Sequence, residues 1–221
     1  MTPESHPETP SQSSPRLSAD HPAENPEPEP APRQTDSASP KAAPSFKLDR
    51  PVALVGLMGV GKSTIGRRLA DHFGIAFVDA DDEIEKAAGQ SISDIFTSLG
   101  EEAFREGEQR VISRLLSDQP LVLATGGGAV THERTRALLK EKATTIWLRG
   151  DLKVLARRVA NKTHRPLLKD KDPIKVLKAL AAARNGFYAE ADITVDTGDH
   201  SHARTLEAVL AALKAHLSRP E

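Results

Sequence analysis

Eight residues, Gly56-Leu57-Met58-Gly59-Val60-Gly61-Lys62-Ser63, fit the pattern G-x-x-x-x-G-K-[ST] in full. The glycines let backbone N–H groups turn toward a phosphate, and a helix starting at the lysine adds partial positive charge. Lys62 can then reach the β- and γ-phosphates of a nucleoside triphosphate, and the Ser63 hydroxyl can ligate Mg²⁺. The flanks suit this reading. An apolar run, Val52-Ala53-Leu54-Val55, precedes the loop, and Ile65, Leu69 and Phe73 recur at helical spacing after it. Strand, glycine loop and helix form the context that this motif requires.

Asp79-Ala80-Asp81 closes a second apolar run. On an extended chain Asp79 and Asp81 would share a side. Such a pair suits holding Mg²⁺, directly or through water, and accepting a hydrogen bond from a substrate hydroxyl. The bland alternative is a helix cap, with Asp82 the better candidate for a helix starting near Glu83. Gly126-Gly127-Gly128 follows a third apolar run. Three glycines are costly in regular structure, and their use is close approach of backbone to a small polar ligand or, more plainly, a flexible turn. Arg105, Arg165 and Arg184 offer planar forks for carboxylate or phosphate. Singly, each reads as a solvated surface residue; only as a set do they point to a site. Arg165 lies in a polar stretch, Asn161 to Leu168, that reads as a lid. The eight histidines show no metal-ligand spacing.

The elements that must carry these residues are readable in outline. Strand-like runs are Val52–Val55, Ile75–Val78, Leu121–Ala124, Thr144–Leu148 and Ile193–Val195, with helical patterns between them. Phe104, Glu108, Val111 and Leu115 mark one helix. Asp151 is placed to cap another that carries Leu152, Leu155 and Val159, and Leu206, Leu210, Leu213 and Leu217 mark the last. Alternation predicts an α/β fold with a mostly parallel five-stranded sheet covered on both faces. Ligands then sit at the carboxyl ends of the strands, where the chemical residues fall.

Bulk properties narrow the class further. Net charge is −1, from 30 basic and 31 acidic residues, which argues against a general grip on nucleic acid or anionic lipid. With no cysteine, disulfides, thiolate metal sites and cysteine nucleophiles are excluded. No apolar stretch is long enough for a membrane span, and the N-terminus lacks a secretory h-region, so a cytoplasmic protein is expected. Residues 1–46 hold 11 of the 16 prolines and few large apolar side chains, and are expected to be a disordered tail ahead of a catalytic domain at 47–221.

Taken together the motifs resemble the shikimate kinases, from about residue 50 to about 217. They are the phosphate loop, Asp79-Ala80-Asp81, Phe104-Arg105, Glu108, Gly126-Gly127-Gly128-Ala129-Val130, Arg165-Pro166-Leu167-Leu168, and Arg184 ahead of Tyr188. The resemblance implies a three-layer α/β/α P-loop kinase fold with substrate-binding helices and a lid at about 160–172. It implies ATP- and Mg²⁺-dependent phosphorylation of the 3-hydroxyl of shikimate, in aromatic amino-acid synthesis, by an enzyme expected to be a monomer. By position, Gly59, Val60, Gly61, Lys62, Ser63 and Thr64 would bind the nucleotide phosphates, and Arg158 would stack on adenine. Ser63 would ligate Mg²⁺ directly and Asp79 through water. Asp81 would act on the 3-hydroxyl, Arg105 and Arg184 would clamp the carboxylate, and Glu108 would orient Arg105. Gly126, Gly127 and Gly128 would line the acceptor site, while Lys62 and Arg165 would stabilise the transferring phosphoryl group. Many family members pack an Asn-Pro pair on adenine after the last strand; here Ser201-His202 stands near that place. The phosphate loop alone also permits a gluconate or nucleoside monophosphate kinase, or a nucleotide-dependent binding module whose tail recruits a partner.

Overall fold

The apolar runs around the phosphate loop form the centre of a parallel sheet. A computed structural model describes residues 46–116, 119–160 and 172–219. Its strands are β1 (Val52–Val55), β2 (Ala76–Asp79), β3 (Leu121–Ala124), β4 (Thr144–Gly150) and β5 (Ile193–Thr197). They lie in the order β2-β3-β1-β4-β5, every pairing parallel. Each residue of β1 and β3 is buried, which explains their unbroken apolar runs: interior parallel strands face helices on both sides. Edge strand β5 alternates instead, with Ile193, Val195 and Thr197 inward and Thr194 and Asp196 outward. Because β3 and β4 flank β1 on opposite sides, the loops leaving β1 and β3 open a crevice between them at the sheet's carboxyl edge.

Among the described residues, seven α-helices connect and cover these strands: α1 (Lys62–Phe73), α2 (Ala80–Ala88), α3 (Ile92–Leu115), α4 (Glu133–Lys142), α5 (Leu152–Ala160), α6 (Pro173–Tyr188) and α7 (His202–Leu217). Helix α1 packs on β2, β3 and α7, and α7 also packs on β5, while α4 packs on β4 and α3. Local chemistry sets most ends. Asp151 Oδ1 accepts from the N–H groups of Lys153 and Val154, as its spacing suggested. Asp172 caps α6, with Pro173 in the first turn, and Gly74 closes α1 at φ 67°.

Two helices differ from the sequence reading, and β2 lies one residue later, at Ala76–Asp79. Helix α2 begins at Ala80, three residues before Glu83, and its cap is Asp79, whose Oδ1 accepts from Asp81 N–H at 3.2 Å. Asp82 lies inside the first turn. Because the last residue of β2 is itself the cap, no linker separates β2 from α2, and strand alternation does not relate Asp79 to Asp81. Helix α3 is two helices joined at Gly100, whose φ 83° and ψ 174° no helix accommodates. Its two halves, with α2, enclose a small separate core of Ile84, Ile95 and Phe104. Phe46 packs edge-on against Phe73, ring centroids 5.1 Å apart, so the described fold already includes the last residue assigned to the tail.

Candidate active site

The phosphate loop has the backbone its glycines permit. Gly59 and Gly61 adopt φ 80° and 99°, and a Cβ on Gly56 would lie 2.5 Å from the Leu148 carbonyl oxygen. Lys62 Nζ folds back over the loop and donates to the carbonyls of Gly56 (2.8 Å) and Leu57 (3.2 Å). With α1 starting at Lys62, the N–H groups of its first turn, through Ser63 and Thr64, face the space that the loop surrounds. Ser63 Oγ donates to Asp79 Oδ2 at 2.6 Å, which joins the two residues assigned to a metal. Asp79 thus serves the helix with one oxygen and the phosphate loop with the other.

Asp81, on the first turn of α2, turns toward the glycine run after β3. A Cβ built on Gly126 would meet Asp81 Oδ1 at 2.7 Å and Glu108 Oε1 at 3.0 Å. One on Gly128 would meet Arg105 Nη2 at 2.5 Å, whereas one on Gly127 would make only ordinary contacts, from 3.5 Å. None of the three has a positive φ that calls for glycine. What they provide is room: Asp81 of α2 and Arg105 and Glu108 of α3 press against bare backbone. Burial raises the Asp81 carboxyl above its usual range, the Asp79 charge adds to this, and Lys62 opposes it.

Arg105 is held by two acids of its own helix, Glu108 (Nη1 to Oε2, 2.9 Å) and Glu101 (Nη2 to Oε1, 3.2 Å). Glu108 is fully buried, and burial pushes its carboxyl up against the pull of Arg105. Its Oε1 and Arg105 Nε are the buried side-chain atoms without a hydrogen-bond partner among the described residues. Both belong to the cluster around Gly126 and Gly128. Arg184, on α6, donates from Nη1 to the Gly127 carbonyl at 3.0 Å. The Tyr188 hydroxyl donates to the same oxygen. Thus Asp81, Arg105, Glu108 and Arg184, from three helices, meet around a single glycine run.

On the other flank of the phosphate loop, Arg158 Nη2 donates to the Gly198 carbonyl at 3.0 Å. His202 is the first residue of α7, and its Cδ2 would lie 4.0 Å from a Cβ on Gly61. Burial, followed by the charges of Arg158 and Arg68, lowers the His202 pKa, so the ring is neutral near pH 7. Arg165 and most of the expected lid, residues 161–171, lie outside the described residues, as do residues 1–45. The residue that sequence reasoning undervalued is Tyr188, which entered only as a spacing mark. Its full burial, which demands a partner for the hydroxyl, is a tertiary property that no local pattern signals.

A family model described as shikimate kinase matches residues 58–214. The chain belongs to the shikimate kinase family. It is similar to a shikimate kinase of Caulobacter vibrioides, 58% identical over 165 residues, covering 75% of this chain and 82% of the relative. A shikimate kinase of Paramagnetospirillum magneticum is 50% identical over 173 residues, covering 78% and 89%. Among solved structures, the shikimate kinase of Acinetobacter baumannii in complex with shikimate superposes with a TM-score of 0.74 at 35% identity, over 79% of this chain and 98% of that one. Both the three-layer P-loop fold and its kinase character follow from this membership. The crevice has two flanks, one from the phosphate loop to Arg158 and one around the glycine run.

Proposed function

We infer that this chain transfers the γ-phosphoryl group of ATP to the 3-hydroxyl of shikimate, releasing ADP and shikimate 3-phosphate for aromatic amino-acid synthesis. The observation that carries this is the glycine run beside the phosphate loop, closed in by two carboxylates and two arginines. That set suits an anion bearing hydroxyls. Arg105 and Arg184 take the acceptor's carboxylate, and Glu108 keeps the Arg105 fork aimed. Asp81 accepts a hydrogen bond from the reacting hydroxyl. As that oxygen bonds to the γ-phosphorus and the bond to the β-phosphate bridging oxygen breaks, the hydroxyl proton passes to Asp81. A carboxyl held above its usual range is the better acceptor. Lys62, beside the loop carbonyls, neutralises charge on the phosphates. Phosphoryl transfer depends mainly on such positioning and charge balance.

Ser63 and Asp79 fit Mg²⁺. They offer a hydroxyl and a carboxylate, hard oxygen donors already 2.6 Å apart, and Mg²⁺ takes few protein ligands while keeping waters and phosphate oxygens. When bound there it would offset phosphate charge. Arg158 flanks the adenine in this reading, with His202 where other members carry proline. Arg165 rests on its sequence motif alone. A monomeric, cytoplasmic enzyme acting on small molecules rather than nucleic acid belongs to the same proposal; a net charge of −1 offers no general grip on nucleic acid. No described helix is long and apolar enough to cross a membrane.

The test is steady-state ADP release with Mg²⁺-ATP, with and without shikimate, beside a panel that includes gluconate and nucleoside monophosphates. Turnover that depends on shikimate is expected. Turnover with another acceptor but not with shikimate would overturn the assignment.

A further inference from the structure

A run of three glycines gives close approach but holds its peptide planes poorly, because glycine accepts many φ, ψ combinations at little cost. The neighbouring carbonyls are tied locally: Gly126 accepts from Ala129 N–H at 3.1 Å, and Gly128 from Thr131 N–H at 3.0 Å and Thr131 Oγ1 at 2.7 Å. Gly127 differs. Its carbonyl accepts from α6, from Arg184 Nη1 at 3.0 Å and from the Tyr188 hydroxyl. In a planar trans peptide the carbonyl and the next N–H point opposite ways. Holding the Gly127 carbonyl toward α6 therefore turns the Gly128 N–H away from α6, and Gly128 itself lies against the Arg105 guanidinium.

The two donors differ in what else they must do. Arg184 is assigned to the acceptor's carboxylate. Tyr188 has no exposed surface and stacks on Trp147, with centroids 5.9 Å apart and planes at 28°. Trp147 pairs with Val55, the residue just before the phosphate loop, and its ring edge would lie 3.4 Å from a Cβ on Gly56. The Tyr188 hydroxyl is thus anchored to the strand that carries the phosphate loop.

We propose that Tyr188 is a positioning residue: through the Gly127 carbonyl it fixes the Gly127–Gly128 peptide, so that the Gly128 N–H is presented to the phosphoryl acceptor in constant register with the phosphate loop. This rests on the shikimate kinase reading above. Burial pushes the phenol up to about 12, so the hydroxyl stays a donor across any working pH.

The test compares full-length Tyr188→Phe with Trp147→Phe, which disturbs the same packing but keeps the hydroxyl. For Tyr188→Phe, KM for shikimate rises about tenfold, the scale of one hydrogen bond, while kcat and KM for ATP stay within about threefold. Trp147→Phe lowers Tm and, because it loosens the anchor but keeps the hydroxyl, raises KM for shikimate no more than about threefold. An unchanged KM for shikimate in Tyr188→Phe overturns the proposal. So does an equal rise in Trp147→Phe, which would make packing the cause. A wild-type enzyme without shikimate-dependent turnover fails the functional reading itself, and this inference falls with it.

Discussion

At the scale of single residues, the role proposed for Asp81 sets function against stability. Its carboxyl is held above the usual range by burial and by Asp79. A group whose folded pKa exceeds its unfolded value destabilises the fold when ionised, and that cost disappears as pH falls through the folded pKa. Asp81→Asn should therefore raise Tm at pH 7 by roughly 2–4 °C, the shift that about 1 kcal/mol makes in a domain of this size. The same change should lower kcat by roughly 10²–10⁴, the usual contribution of a proton acceptor. In the wild type, kcat should fall toward acid with a midpoint above 3.8, the ordinary value for the group. The glycine run gives a graded series. A methyl on Gly126 or Gly128 displaces the tips of Asp81, Glu108 or Arg105, which is cheap for the fold but misplaces the chemistry. Gly126→Ala and Gly128→Ala should each lower kcat/KM for shikimate by roughly 10²-fold with little change in Tm, the sensitivity expected of a 1 Å misplacement. Gly127→Ala meets only ordinary contacts, and its loss should stay below about threefold by the same argument. Equal losses at all three positions would show that backbone freedom, not room, is what matters there.

At the scale of elements, legibility followed how local the governing interaction was. The Asp151 cap and the α1 periodicity were readable because each depends on neighbours within one turn. The start of α2 was misread because Asp79, Asp81 and Asp82 are all competent caps, and the choice falls to the Ser63 contact that fixes Asp79. Strands β4 and β5 run two residues beyond their apolar cores, to Gly150 and Thr197. Their ladder pairing and the Arg149–Asp196 ion pair continue where hydrophobicity stops. Gly100 divides α3 and re-aims its first half, which carries the exposed Leu99. Nothing crowds a Cβ there, so Gly100→Ala tests backbone alone. Its φ, ψ region belongs essentially to glycine, and the strain should lower Tm by about 5 °C in a thermal melt. An unchanged melt would mean that the break relaxes at no cost.

At the scale of the whole molecule, every described residue with an assigned role lies at Gly59 or beyond, so the proline-rich stretch should be dispensable for chemistry. Deleting residues 2–45 should leave kcat/KM nearly unchanged, since it removes no residue with an assigned role. Extending the deletion through Phe46 removes its edge contact with Phe73 and should lower Tm by about 2–4 °C, the scale of one aromatic pair. A large loss of turnover in the shorter deletion would give the tail a catalytic part. The sequence by itself determined the phosphate loop, the five strand cores and the chemical types present, because glycine geometry, apolar period and side-chain chemistry are local properties. Only the tertiary structure decided which of them meet. Parallel strand order brings β3 beside β1 and so sets the glycine run against the phosphate loop. The bonds from Arg184 and Tyr188 to Gly127 span 57 and 61 residues. Contacts of that span exist only once the sheet has closed the loops between them, and no local pattern encodes which distant oxygen a buried hydroxyl will reach.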